Sequence, residues 1–269
     1  MDKFTDGRVL LGDALHGRNS LQWRPDHQKQ VALNDFVAQA WALNIPEIRE
    51  NCLSIIKGES RREHGCAILG SGTGLGVAKL DRKKGDDSQF IPSPSEGGNA
   101  PFPVDYFSIE QRSGFLPWLE KKINGKSRSD RSVDLVPLRI EHVVSGRGLE
   151  LIYEFLHNKK LAISKIDDAI KAHDKKALGA ADLFGEYLGR VARTHAINFC
   201  AWGGLFFSGG VLQRNPQLIN RNSFRDAFLA APTKAHQAEL EKTPISLMLN
   251  DKIGLWGAAA YGMHIAEQS

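Results

Sequence analysis

A few short stretches of this chain carry residue types and spacings that can do chemistry. Asn34-Asp35 places a carboxylate where an apolar run ends and a helical pattern begins. It reads there either as a helix cap or as a general base that takes a proton from an attacking hydroxyl. Gly72-Thr73-Gly74-Leu75-Gly76 lets successive backbone N–H groups point into one concavity, and the Thr73 hydroxyl adds a donor. An anion fits such a concavity, and a plain glycine hairpin fits the same residues. The stretch is not a Walker A loop, which needs Gly-Lys-Ser/Thr. It is a poor Rossmann fingerprint as well, because a strand-like rather than a helical run follows it. Glu96-Gly97-Gly98-Asn99 allows the backbone to pass close to a ligand while the glutamate accepts hydrogen bonds from hydroxyls. The same residues also read as a turn after Pro92 and Pro94. Glu141, ahead of Val143-Val144-Ser145-Gly146-Arg147-Gly148-Leu149, reads on its own as a surface glutamate before a helix N-terminus. Phe206-Phe207-Ser208-Gly209-Gly210-Val211 reads as a strand whose glycines let a flat ring lie against backbone.

The elements that must position these residues follow from hydrophobic periodicity. Arg8 to Leu11 has the makings of a short strand, and Gly17-Arg18-Asn19-Ser20 of a turn. Val31-Ala32-Leu33 is a short apolar run. Phe36, Val37, Ala40, Trp41 and Leu43 then recur at helical spacing, with Asn34 or Asp35 as N-cap and Pro46 as a boundary. Cys66 to Leu69 enters the glycine stretch and Val77 to Leu80 leaves it, which predicts strand, tight turn, strand. Asp81 to Asp87 is a charged hairpin turn. Helices are expected over 117–124, 148–157, 164–173 and 177–198. The last has Ala180, Leu183, Phe184, Tyr187, Leu188, Val191, Ala192 and Ala196 on its apolar side. Leu205-Phe206-Phe207 is a buried-strand run, and Gly254 to Ala260 opens a final helix of small residues. Strands alternating with helices, with glycine turns at strand ends, argue for an α/β protein.

The order of the motifs is more specific than any one of them. Asn-Asp, Gly-Thr-Gly-Leu-Gly, Glu-Gly-Gly, Glu-x-Val-x-Ser-Gly-x-Gly-Leu, Ser-Gly-Gly and Leu-x-Gly-Ala-Ala follow one another from about Val31 to Tyr261. In that order they resemble the bacterial glucokinase family, the branch outside the ROK group of the actin/hexokinase superfold. The cysteine-rich zinc motif of the ROK branch is missing. The resemblance implies a two-lobed actin/hexokinase-like (ribonuclease H-like) α/β fold, with 1–45 plus 250–269 in a small lobe and 46–249 in a large one. It implies ATP-dependent phosphorylation of the 6-hydroxyl of glucose in glycolysis, with Asp35 as catalytic base. Asn34, Glu96, Asn99 and Glu141 would hold the other hydroxyls. Gly72, Thr73 and Gly74 would cradle phosphates, and Ser208, Gly209 and Gly210 would lie beside adenosine. Mg²⁺ would neutralise phosphate charge without an assigned protein ligand. A glucokinase-like sugar-binding or regulatory protein without phosphoryl transfer is the alternative.

Two departures from the family pattern stand out. The family's Glu-Gly-Gly motif ends in histidine, where this chain has Asn99. The family also opens with a strand followed by Asp-x-Gly-Gly-Thr, a first phosphate loop. The nearest stretch here is Leu10-Leu11-Gly12-Asp13-Ala14-Leu15-His16-Gly17. Gly12-Asp13, Asn19 and Trp23 align better with a later Gly-Asp…Asn-x-x-Trp segment, which leaves the small lobe truncated at its N-terminal end. A lobe short of its first strands is expected to be poorly stable or compensated by self-association.

Composition agrees with a globular enzyme. The chain has 269 residues, 42% hydrophobic and 25% charged, with a net charge of +4. That balance gives no argument for a nucleic-acid partner. Nor does the basic run Lys121 to Arg131, expected to be an exposed loop, since no aromatic residues interleave it. Cys52, Cys66 and Cys200 are widely spaced and read as reduced, buried thiols. The polar start lacks a signal-peptide core, and the most apolar run, Ile197 to Phe207, is broken by Asn198 and Gly203-Gly204. A soluble cytoplasmic protein, away from membranes, is expected.

Overall fold

The apolar runs 66–69 and 205–207 pair side by side at the centre of a sheet covered on both faces, which is why they read as continuous rather than alternating. The computed structural model describes residues 33–59, 61–103, 114–125 and 136–268. The first thirty-two residues, with Gly12-Asp13, Asn19 and Trp23, lie outside the described residues, as does 126–131 of the expected basic loop.

In chain order the elements are α1 (Asp35–Trp41), α2 (Pro46–Glu50), β1 (Leu53–Ile56), β2 (Cys66–Ser71), β3 (Leu75–Lys83) and β4 (Asp86–Ser95). There follow α3 (Phe115–Asn124), α4 (Ile140–Val143), α5 (Gly146–His157), α6 (Ile163–Lys171) and α7 (Lys175–Asn198). The chain continues with β5 (Gly204–Ser208), α8 (Gly210–Arg214), α9 (Asn222–Leu229), α10 (Lys234–Lys242), β6 (Ile245–Leu247) and α11 (Ile253–Gln268). The six-stranded sheet has the order β1-β6-β5-β2-β3-β4. β2, β3 and β4 form an antiparallel meander. β5 runs parallel to β2 and to β6, and β1 closes the far edge antiparallel to β6.

The two-residue period of the strands sorts the core into two layers. Ala67, Leu69, Leu205, Phe207, Ile245 and Leu247 face α5, α7 and α9, with Phe184, Tyr187, Leu188 and Phe224. Cys66, Ile68, Ala78, Leu80 and Phe90 face the other way, with Phe36, Ala40, Leu43, Met248 and Ile253. The described parts of the expected small lobe, α1 and α11, therefore sit on that second face. Where they cross, a Cβ on Gly257 would overlap the Ala38 carbonyl. The Trp41 ring packs at a tilt against Tyr261 and His264, with centroids 5.1 and 4.7 Å away.

The structure departs from the expectations at the basic run and at the cysteines. Lys121 and Lys122 belong to the last turn of α3, and Gly125 ends that helix at φ 67°, so the exposed loop begins later than the basic run does. Pro92 and Pro94 lie within β4, and the expected turn follows at Gly97–Asn99. β4 is an edge strand, where a missing N–H need not cost a ladder bond. Of the cysteines only Cys66 is buried; Cys52 is half-buried and Cys200 exposed. Burial pushes the Cys66 thiol up to about 12 and the Cys52 thiol up to about 11. No helix among the described residues is long and apolar enough to cross a membrane.

Candidate active site

The glycine stretch folds as a hairpin end. Gly70 pairs with Gly76 and Ser71 with Leu75, and the Gly72 N–H donates to Gly74 O at 3.0 Å. The N–H groups of Thr73 and Gly74 find no backbone acceptor among the described residues. The turn is tied down from outside. Ser71 Oγ donates to Val144 O at 2.9 Å, and Gly146 N donates to Gly72 O at 2.8 Å. The start of α5 is thus fastened to the turn.

Glycine at 70 and 76 has a second use. A Cβ at either position would strike the Phe36 ring, which lies flat on the paired glycines. Phe36 follows Asp35, so this contact fixes the first turn of α1 beside the hairpin end. Asn34 is the cap: its Oδ1 accepts from Phe36 N at 2.9 Å and Val37 N at 3.1 Å. The cap does not use the Asp35 carboxylate, and both residues are exposed. Ser208 is fully buried and donates to Gln39 Oε1 at 2.9 Å, a second tie between α1 and the sheet. Its hydroxyl serves the fold, and the half-buried Gly209 and Gly210 are the accessible part of that motif. Gly209 has φ 94°, and a Cβ there would overlap Ser71 backbone, so only glycine can make this turn against the hairpin.

Glu96, Asn99 and Glu141 come together. Gly97–Asn99 forms a single 3-10 turn, and Asn99 Nδ2 donates to Glu96 Oε2 at 2.8 Å. A Cβ on Gly98 would overlap the Leu75 carbonyl, so this turn sits directly on β3. Glu141 lies in α4, where one carboxylate oxygen faces Arg139 Nη1 at 3.0 Å. The other would be 2.7 Å from a Cβ on Gly74. Arg139 also donates to Asn99 Oδ1 at 2.7 Å. The expected hydroxyl acceptors and the glycine turn thus share one edge of the molecule.

Sequence reasoning missed Arg139 and His195. A lone arginine two residues before a motif glutamate carries no signal of its own. His195, on α7, is only 4% exposed; its ring packs on Gly97 and stacks on Phe199 at 5.5 Å. Neither ring nitrogen has a hydrogen-bond partner among the described residues, and burial pushes its pKa down to about 4. Its place on the apolar side of a helix was the available hint.

Comparison with known proteins decides the family. The glucokinase family model matches residues 19–265. The chain belongs to the glucokinase family. A glucokinase of Rhizobium meliloti (strain 1021) is 31% identical over 239 residues, covering 86% of this chain and 64% of the relative. The chain thus spans less than two thirds of that glucokinase's length. Among solved structures, a glucokinase from an Antarctic psychrotroph superposes with TM-score 0.71 at 25% identity, over 86% of this chain and 68% of that one. A glucokinase of Balamuthia mandrillaris, solved with glucose, has TM-score 0.70 at 21% identity, over 86% of this chain and 65% of that one. The mixed α/β architecture described above is the glucokinase fold.

Proposed function

We propose that the chain is a sugar kinase that transfers the γ-phosphoryl group of ATP to the 6-hydroxyl of glucose, in glycolysis and in the cytoplasm. The observation that carries this reading is the junction at Gly74. The carboxylate of Glu141 lies against the glycine turn, so a polyol held by carboxylates would sit beside a phosphate held by backbone amides. Family membership gives the two ligands their identity.

In this reading Glu96 and Glu141 accept hydrogen bonds from sugar hydroxyls, and the Asn34 and Asn99 side-chain amides donate to sugar oxygens. Asp35 takes the proton of the 6-hydroxyl as that oxygen attacks phosphorus in line with the leaving ADP oxygen. Gly72, Thr73 and Gly74 receive phosphate oxygens, and Gly209 and Gly210 pass beside adenosine. Mg²⁺ bound with the nucleotide would supply charge neutralisation at its phosphates. Among the described residues no three His, Cys, Asp or Glu side chains converge on a point.

The test is a coupled assay of glucose 6-phosphate formation, with glucose binding measured separately by calorimetry. The wild-type chain is expected to turn over, and Asp35→Ala to bind glucose without turnover. Activity unchanged in Asp35→Ala would overturn the mechanism. Glucose binding by a wild type that forms no product would favour the non-catalytic sugar binder.

A further inference from the structure

A short antiparallel bridge, Pro101 opposite Arg139, joins the segment after the Glu96–Asn99 turn to the segment before Glu141. It is flanked by Phe102 N to Leu138 O at 2.9 Å and Ile140 N to Ala100 O at 3.0 Å. The bridge delivers the Arg139 guanidinium between two carboxylate-bearing segments that are far apart in sequence. Nη1 faces Asn99 Oδ1 at 2.7 Å and Glu141 Oε1 at 3.0 Å. Nε and Nη2 lie 3.1 and 2.9 Å from His142 Nε2, which steadies the other edge of the planar group. With Asn99 Nδ2 on Glu96 Oε2, the four side chains form one continuous chain from Glu96 through Asn99 and Arg139 to Glu141.

The Arg139 side chain is 37% exposed, so its ion pair adds little to fold stability. What the guanidinium supplies is direction: a rigid fork with fixed donor vectors, which an ammonium cannot copy. We propose that Arg139 is the positioning residue of the hydroxyl-binding cluster and sets which oxygens remain for the sugar. It engages Asn99 Oδ1 and Glu141 Oε1, and Asn99 engages Glu96 Oε2. Among the described residues the carboxylate oxygens left without a side-chain donor, and so most open to hydroxyls, are Glu96 Oε1 and Glu141 Oε2, with one Asn99 amide hydrogen as donor. Such a set takes a neutral hexose through separate hydroxyl groups and rejects a deoxy analogue, which would leave a carboxylate oxygen unpaired. This inference rests on the sugar-kinase reading above.

The experiment measures kcat and KM for glucose and 2-deoxyglucose in wild type, Arg139→Ala, Arg139→Lys, Asn99→Ala and the Arg139→Ala/Asn99→Ala double variant, with glucose affinity by calorimetry. Arg139→Ala is expected to raise the glucose KM about tenfold, the worth of one charge-assisted hydrogen bond, with kcat little changed. It should also narrow the preference for glucose over 2-deoxyglucose. Arg139→Lys should restore only part of the affinity. The double variant should lose less than the product of the two single losses, because Arg139 acts through Asn99. An unchanged KM and unchanged preference in Arg139→Ala overturn the inference alone, as does a fall in kcat at constant KM. If Arg139→Ala fails to fold, full affinity in Arg139→Lys overturns it and partial affinity supports it. A wild type that neither binds nor phosphorylates either sugar overturns both this inference and the function on which it rests.

Discussion

Replacing His195 by leucine tests how the buried side of the Glu96–Asn99 turn is held. The imidazole is 4% exposed, both ring nitrogens lack a partner among the described residues, and burial pushes its pKa from 6.5 down to about 4. The unfolded chain therefore binds a proton that the folded chain refuses, and stability falls as pH drops through 6.5 toward about 4. At about 1.4 kcal/mol per pKa unit, the whole effect is about 3 kcal/mol. Roughly 2 kcal/mol of it is spent between pH 7 and pH 5. Denaturant unfolding followed by tryptophan fluorescence at pH 7, 6 and 5 measures it, with His195→Leu alongside wild type. Leucine should be at least as stable at pH 7, because it removes two unpaired polar atoms at similar volume. At pH 5 its advantage should have grown by about 2 kcal/mol. Other titrating groups, including His142, whose pKa burial and Arg139 both lower, cancel in the difference. A stability difference that stays constant between pH 7 and pH 5 would refute the reasoning, as would an imidazole resonance of folded His195 titrating near 6.5.

Four further outcomes are expected. Asp35→Asn should lower kcat by about 10² to 10⁴ while glucose affinity by calorimetry changes little, because the carboxylate acts on the proton in flight. Gly98→Ala should lower the melting temperature, since its methyl would meet the Leu75 carbonyl. Gly74→Ala should spare melting and weaken sugar binding, since it meets only the movable end of Glu141. Gly76→Ala should lift the Phe36 ring and displace the start of α1, lowering kcat more than a surface substitution would; a kcat equal to wild type would count against Phe36 as the prop beneath Asp35.

Much of the fold was legible because local pattern and final environment agree. The hairpin around Gly72 to Gly74, the long helix α7 and the central strands β2 and β5 all stand close to where periodicity put them. Misses cluster at the edges of the sheet. β1 and β6 are too short to show a period, and β4 is disguised by Pro92 and Pro94, which only its edge position tolerates. Helices α8, α9 and α10 went unread because, at five, eight and nine residues, they are too short to show a sustained period.

For the site, residue type and motif order alone determined which groups are candidates: Asp35, Glu96, Asn99 and Glu141 with the glycine turn. Type and order follow from local chemistry, a carboxylate for a hydroxyl or a glycine for close approach. Only the tertiary structure decided what each candidate is already bound to. Ser208 is committed to Gln39, and Asn99 to Arg139. Those commitments depend on contacts between segments far apart in the chain, one a helix packed on the sheet and the other a strand-like bridge. A hydrogen bond is satisfied at about 3 Å in space, whatever the separation in sequence.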